Sequence, residues 1–260
     1  MRKIKVHVLQ EPLVNPINMT NFAAKLTQHG AEDIYDIHHF LNSEPTNYQL
    51  PSIIQKMNHP NVTRHSAWTV IIIGGSRRLL AQLRTHHVGI DWTSASMQYQ
   101  DMRGKIDPVI PYEILETEDE DTLKAYEEYC RSSFMAYSSL IGIHGVHHDA
   151  AAYVLPQASR NVLMATGNTE AFSNMISQRS CNRNSLEAQY VALRIWEELL
   201  NSDFGAYMFA NAGAYCIDHR PCNQGKMQCK EGPMAPLNKV MNRESVAKII
   251  QEKFPLLYNE

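Results

Sequence analysis

The chain is predicted to fold as an α+β domain, and three observations carry that prediction. β-branched runs are short and far apart, at Lys3–Leu9, Thr69–Ile73 and Arg160–Thr166. Between them lie longer stretches with apolar residues at helical spacing. The clearest is Ser185–Leu200, where Leu186, Val191, Leu193, Ile195, Leu199 and Leu200 supply one apolar face. The two kinds of segment follow each other irregularly, unlike the strict strand–helix alternation of a parallel sheet.

Length and charge narrow the function. A chain of 260 residues is long enough to bury a sizeable core. Its net charge of -3 gives no global nucleic-acid footprint, so a nucleic-acid polymer is not an expected partner. No apolar run is long enough to span a bilayer, and no membrane partner is expected. The N-terminus, MRKIKVHVLQEP, alternates like a strand and lacks the apolar core of a signal peptide, so the expected location is the cytoplasm. Residues 1–232 are expected to form one domain that includes the cysteine-rich segment 213–232, with a helical extension over 233–260.

Taken in order, the first strand should end at Glu11 and Pro12. A helix over Thr20–Gln28 should stop at Gly30, and a short one should cover Leu50–Met57 with Pro51 near its start. Gly74 and Gly75 are expected to close the strand Thr69–Ile73. Ser76 is a natural N-cap for a helix carrying Leu79, Leu80 and Leu83 to about Arg84. Beyond the pair His86–His87, Thr93, Ser94 and Ser96 offer hydroxyls and backbone N–H groups suited to a phosphate. The acidic run Glu116–Asp121 should open a long helix reaching about Ile143, since carboxylates favour a helix N-terminus. His144, His147 and His148 follow as a compact group, with no acidic or cysteine partner that would favour a metal there. Thr169–Arg179 and Arg243–Phe254 read as helices.

Three of the five cysteines cluster as Cys216, Cys222 and Cys229 in CIDHRPCNQGKMQC. In a cytoplasmic chain such clustering points to a metal before a disulfide. Cys181 supplies a fourth thiolate for a tetrahedral structural zinc site, with His219 as a substitute ligand. Thiols in a plain loop are the alternative, because neither gap is the usual CxxC knuckle. Four thiolates leave no open position for water, which argues against zinc-dependent hydrolysis. Cys130 reads as a core residue.

Several segments, in order, resemble the flavin-dependent thymidylate synthases: HPNVTRH, TVIIIGGSRRLLAQLRTHH, SASMQY, VLPQASRNVLMATGN, RSCNR with EAQYVALR, and the tail NAGAYCIDHRPCNQGKMQC. The likeness covers about residues 55–232. It implies a homotetramer with active sites shared between subunits around FAD. The implied reaction adds a methyl group at C5 of dUMP, with methylenetetrahydrofolate as carbon donor and NADPH as electron source. In that chemistry reduced flavin delivers the hydride and no cysteine attacks the pyrimidine, leaving binding, orientation and electrostatics to the protein.

Carried over by position, the resemblance places His59, His86 and His87 against the flavin, with Asn168 and Asn174 as further flavin contacts. Gln82, Ser96 and Arg179 match positions that hold the nucleotide. The planar fork of Arg179 suits a phosphate or pyrimidine oxygen, and Arg179 joins the three histidines as the candidate catalytic set. Departures fall in the same region. Thr85 and His87 stand where the family has two arginines, Ser94 where it has a glutamate, and Asp91 where it has a hydroxyl. Gln98 and Ala152 replace arginines, and Glu170 replaces another. About one extra helical turn is expected at Arg183–Ala188. Arg77, Arg78, Arg160 and Arg183 are candidate replacements for the missing cations. The substrate expected is a pyrimidine nucleoside monophosphate contacted by Gln82, Asp91, Ser94, Ser96, Gln98 and Arg179. Two alternatives are methylation or hydroxymethylation of a different pyrimidine nucleotide (dCMP, UMP, or dUMP to a modified base) and a catalytically silent nucleotide-binding homologue.

Overall fold

A computed structural model of the chain describes residues 1, 4–27, 34–45, 47–57, 59–214, 216, 222, 224–229 and 241–257. The expected strand start at Lys3, the helix end at Gln28–Gly30 and the substitute ligand His219 lie outside the described residues.

Strand β1 (Lys5–Gln10) is followed by helices α1 (Pro16–Leu26), α2 (Ile34–Asn42) and α3 (Leu50–Lys56). Helix α1 starts earlier than its apolar spacing suggests, because Asn15 accepts from the amides of Ile17 and Asn18 and Pro16 occupies the first turn. Strand β2 (Trp68–Ser76) runs into α4 (Arg77–Leu83), capped by the Ser76 hydroxyl on the Leu79 amide. The two glycines do not end β2. Gly74 takes φ +83° and the register shifts between Ile73 and Gly75, so they form a bulge and pairing resumes beyond them.

Strand β3 (Ile90–Ser94), not expected from the sequence, carries Thr93 and Ser94, two of the hydroxyl residues read as suited to a phosphate. Helix α5 (Tyr112–Leu115) precedes the long α6 (Glu120–Gly142). The acidic run is broken at Glu118, which takes φ 50°, and Asp119 begins α6 by accepting from the amides of Asp121 and Thr122. After α7 (His148–Ala151), β4 (Arg160–Gly167) leads into α8 (Thr169–Arg179) and α9 (Leu186–Leu200). Helices α10 (Gly205–Met208) and α11 (Arg243–Lys253) complete the described elements. Residues 180–185 form the turn between α8 and α9, so the span Arg183–Ala188, where the sequence predicts an extra helical turn, is helical only from Leu186 onward.

The sheet has the order β1-β2-β4-β3 with every pair antiparallel, as the α+β reading requires. One face carries Trp68, Val70, Ile72, Leu163 and Ala165, all buried. Against this side lies α9, which is covered nearly all round: it packs on β1, α4, α8, α10 and α11. Val246, Ile250 and Phe254 bring the C-terminal helix into the same core. The opposite sheet face is different. Ile73, Val162 and Met164 are each 38% exposed there, although they are apolar and neighbours in register through the pairs Ile73↔Val162 and Ile71↔Met164. Helix α6 buries only Cys130, Phe134 and Tyr137 among its 23 residues.

Candidate active site

The site is built where the start of β3 meets the start of α8. Gly89 takes φ +77°, and a Cβ there would lie 2.9 Å from Asn168 Nδ2 and 3.0 Å from Ala171 Cβ. A Cβ on Gly167 would lie 2.6 Å from the Gly89 carbonyl oxygen. Both glycines therefore permit a backbone approach that a side chain would block. Asn168 caps α8 by accepting from the Ala171 amide at 2.9 Å, and its own N–H donates to Gly89 O. Behind the cap, Thr169 Oγ1 lies 2.5 Å from Ser66 Oγ and accepts from Trp68 Nε1 at 2.9 Å, tying α8 to β2.

At the other end of α8, Arg179 is gripped by the α4–β3 connection. Its Nε donates to His86 Nε2 at 2.9 Å, and Nη2 donates to Gln82 O and Thr85 Oγ1, each at 2.8 Å. Nη1 donates to Asn184 Oδ1 at 3.0 Å. The guanidinium has five N–H groups, so one, on Nη1, remains for a ligand. The expected two-fold grip on a phosphate would therefore require displacing one of these acceptors. Gln82 is itself held, since Ser185 Oγ donates to its Oε1 at 3.0 Å.

Burial, then the Arg179 charge, then His87 lower the His86 pKa from 6.5 to about 4, so at neutral pH the ring is uncharged. A neutral ring has a free nitrogen lone pair, which is what the Arg179 contact requires. The linkage sign follows from the same shift. Between pH 6.5 and about 4 the unfolded chain binds a proton that folded His86 refuses. Stability therefore falls as the pH drops through this window and levels off below it. Melting temperatures measured across that range should fall less steeply for His86→Asn than for the parent chain. Equal pH slopes would show that His86 is not the responsible group.

The other expected residues are placed less centrally. His87 is exposed, with Nδ1 3.1 Å from Thr85 O, and His59 is exposed at the start of the 3-10 turn Pro60–Arg64. Neither joins the Arg179 cluster. Asn174 is exposed and accepts from Gln178 Nε2. Asp91 is exposed on β3, half-buried Ser94 pairs with Leu163, and Ser96 Oγ accepts from the Gln98 amide. The Gln98 carbonyl lies 2.5 Å from His148 Nε2. Glu170 forms an ion pair with Arg64, so this carboxylate has its own cation. Of the candidate replacements, Arg160 donates to Gly74 O and Pro108 O, and Arg183 donates to Met227 O. That leaves Arg77 and Arg78 beside the start of α4.

Among the described residues no group of three or more Cys, His, Asp or Glu is placed to hold a metal ion. Cys181, Cys216 and Cys222 nevertheless line one cavity of about 290 Å³, together with Arg179 and Asn184. Asn184 was not singled out from the sequence. Its amide donates to Gln178 O and Cys181 O while Oδ1 takes Arg179, and an asparagine in a polar turn carries no signal of that role.

The profile of the thymidylate synthase complementing protein family matches residues 11–202. The flavin-dependent thymidylate synthase of Geobacter sulfurreducens is 27% identical over 194 residues, 74% of this chain and 80% of that protein. Its counterpart from Thermococcus onnurineus is 25% identical over 72% of this chain and 76% of its own length. Among solved structures, thymidylate synthase X from Helicobacter pylori with FAD and dUMP is similar with a TM-score of 0.56 at 19% identity. That match covers 80% of this chain and 98% of the other. The UMP/dUMP methylase PolB of Streptomyces cacaoi, bound with 5-Br dUMP, gives a TM-score of 0.65 at 16% identity, over 82% and 96% of the two chains. With the family profile spanning most of its length and the sheet and helices agreeing, this chain belongs to the thymidylate synthase complementing protein family.

Proposed function

We propose that the chain is a flavin-dependent thymidylate synthase, transferring a one-carbon unit from methylenetetrahydrofolate to C5 of dUMP with FAD as cofactor and NADPH as reductant. One observation carries the reading: Arg179, Gln82, Thr85 and His86, distant in sequence, meet in one hydrogen-bonded cluster at the positions matched to the nucleotide and flavin sites. Bound FAD supplies the redox chemistry that the side chains lack. The donor set fits such a cofactor, because exposed imidazoles at His59 and His87 and an exposed amide at Asn174 match a ring edge of carbonyls and nitrogens. Arg179, oriented by its four acceptors, offers its remaining N–H to a pyrimidine or phosphate oxygen. Neutral His86 positions Arg179; it holds no proton to give from Nε2.

A second reading rests on Asp91. Residues 89–100, GIDWTSASMQYQ, contain no lysine or arginine, and the Asp91 carboxylate is exposed there. A carboxylate accepts from the exocyclic amine of cytosine, which favours dCMP, methylated or hydroxymethylated, if this strand faces the base. Titrating FAD-loaded protein with dUMP, dCMP and UMP while following flavin absorbance separates the readings. The main one requires dUMP to perturb the flavin at the lowest concentration. Preference for dCMP supports the second, and no perturbation by any of the three refutes both.

The site is completed by further copies of the chain in a homotetramer. Supporting this, apolar side chains stand in solvent: Val88 at 84%, Tyr99 at 80% and Tyr153 at 92%, besides the uncovered sheet face. A lysine at Met164 would place a charge in that face. Met164→Lys should shift sedimentation from tetramer to smaller species, whereas an unchanged profile would exclude the face from the assembly. No helix among the described residues is long and apolar enough to cross a membrane. We infer a cytoplasmic location from the thymidylate synthase activity of the named relatives.

A further inference from the structure

We infer that Cys181, Cys216, Cys222 and Cys229 bind one soft divalent cation, of which zinc is the class member suited to four thiolates, and that this ion staples the segment after α10 to the turn after α8. Five observations support it independently of the nucleotide reading. Cys181 and Cys216 belong to separate parts of the chain, yet with Cys222 they line a single cavity. Both pack at the margin of the main core, so their approach is fixed by the fold. The fourth thiol is held beside the first: Asn182, next to Cys181, directs Nδ2 at Cys229 Sγ across 4.0 Å. Arg183 Nη1 donates to Met227 O at 2.6 Å, which pins the segment before Cys229 to the same turn. Finally, the cavity presents a buried polar group with no hydrogen-bond partner among the described residues, Ser177 Oγ, on a residue only 5% exposed.

The chemistry is consistent with a closed structural site. Four thiolates around a divalent ion satisfy its tetrahedral preference and carry net negative charge. Arg179 and Arg183 line the same cavity and supply compensating cations, while the Ser177 hydroxyl can donate to a ligating sulfur. In the described residues Cys181, Cys216 and Cys222 border the cavity and Cys229 lies beside Asn182, without the thiols meeting at a point. Binding therefore draws the cysteine segment inward, and the hydrogen bonds at Asn182 and Arg183 keep the ordering cost of that movement low. Ion binding of this kind contributes directly to folding stability.

The test uses the full chain purified from zinc-supplemented cells without added chelator. Metal analysis should find one zinc per chain, and displacement of the ion by a mercurial should release it into a chromogenic zinc indicator. Cys181→Ser and Cys222→Ser should each lose it. Cys130→Ala should keep it, because the Cys130 thiol lies in a separate cavity beside Tyr126. A thiol-reactive dye should modify four more cysteines after metal removal than before. If a serine variant fails to fold, the indicator and dye measurements on the parent chain still decide. Zinc far below one per chain, or non-reducing mass spectra showing these cysteines in disulfides, would overturn the inference.

Discussion

Arg179→Lys is expected to lower kcat/KM for dUMP by about a hundredfold while leaving the circular dichroism spectrum unchanged. The guanidinium satisfies His86 Nε2, Asn184 Oδ1, Gln82 O and Thr85 Oγ1 at once, in a plane. A lysine ammonium has three donors at a single point and cannot span four acceptors distributed around a fork. Losing the equivalent of one or two charge-assisted hydrogen bonds, at about 1.5–3 kcal/mol each, corresponds to about tenfold at the least, and a hundredfold, about 2.7 kcal/mol, lies within the range. The loss should appear in kcat as well as KM, because the cluster aligns the nucleotide as well as holding it. A variant within a factor of three of the parent would remove Arg179 from the account of the site.

Trp68→Ala should cost about 3–5 kcal/mol of stability, the range for deleting a large buried aromatic. Trp68 has no exposed surface and stacks edge-on against Phe209, with ring centroids 5.0 Å apart. Its Nε1–H also donates to Thr169 Oγ1, so the deletion leaves both a cavity and a weakened anchor at the start of α8. Urea midpoints report the loss directly, provided the transition is two-state. The same variant should bind FAD more weakly, since Asn168 immediately precedes Thr169. A loss under about 1 kcal/mol would show that the β2–α8 contact is not a principal part of the core.

The parts of the fold that were legible in the sequence are those buried on a regular period. Strand β4 and helices α8 and α9 lie within a residue of their expected bounds, because burial imposes unambiguous apolar patterns on them. Strand β3 was missed for the converse reason. It is a half-exposed edge strand whose residues IDWTS alternate weakly, and Thr93 and Ser94 read as a phosphate-binding loop. Its register is imposed by β4, through pairs from Ile90↔Gly167 to Ser94↔Leu163, and such pairing is not written in local periodicity. The bulge at Gly74 was likewise read as a strand end, since glycine signals both.

At the candidate site, resemblance singled out Arg179, Gln82 and His86, which the fold brings together, but not the arrangement that holds them. Asn184 and the Ser185–Gln82 contact arise from the turn between α8 and α9, and only the folded chain brings them to Arg179. The structure also changes the role of Arg179: an arginine expected to present an open fork is largely occupied by its own chain. Thr85 suits this occupation, since its hydroxyl accepts from Arg179 where a second guanidinium would repel it.

The central claim is tested most directly by turnover. FAD-loaded protein supplied with dUMP, methylenetetrahydrofolate and NADPH should form dTMP, and omission of any one of the three should abolish it. Stoichiometric NADPH oxidation should accompany the product. Failure to form a methylated nucleotide from dUMP, by protein that demonstrably holds FAD and is tetrameric, would contradict the assignment.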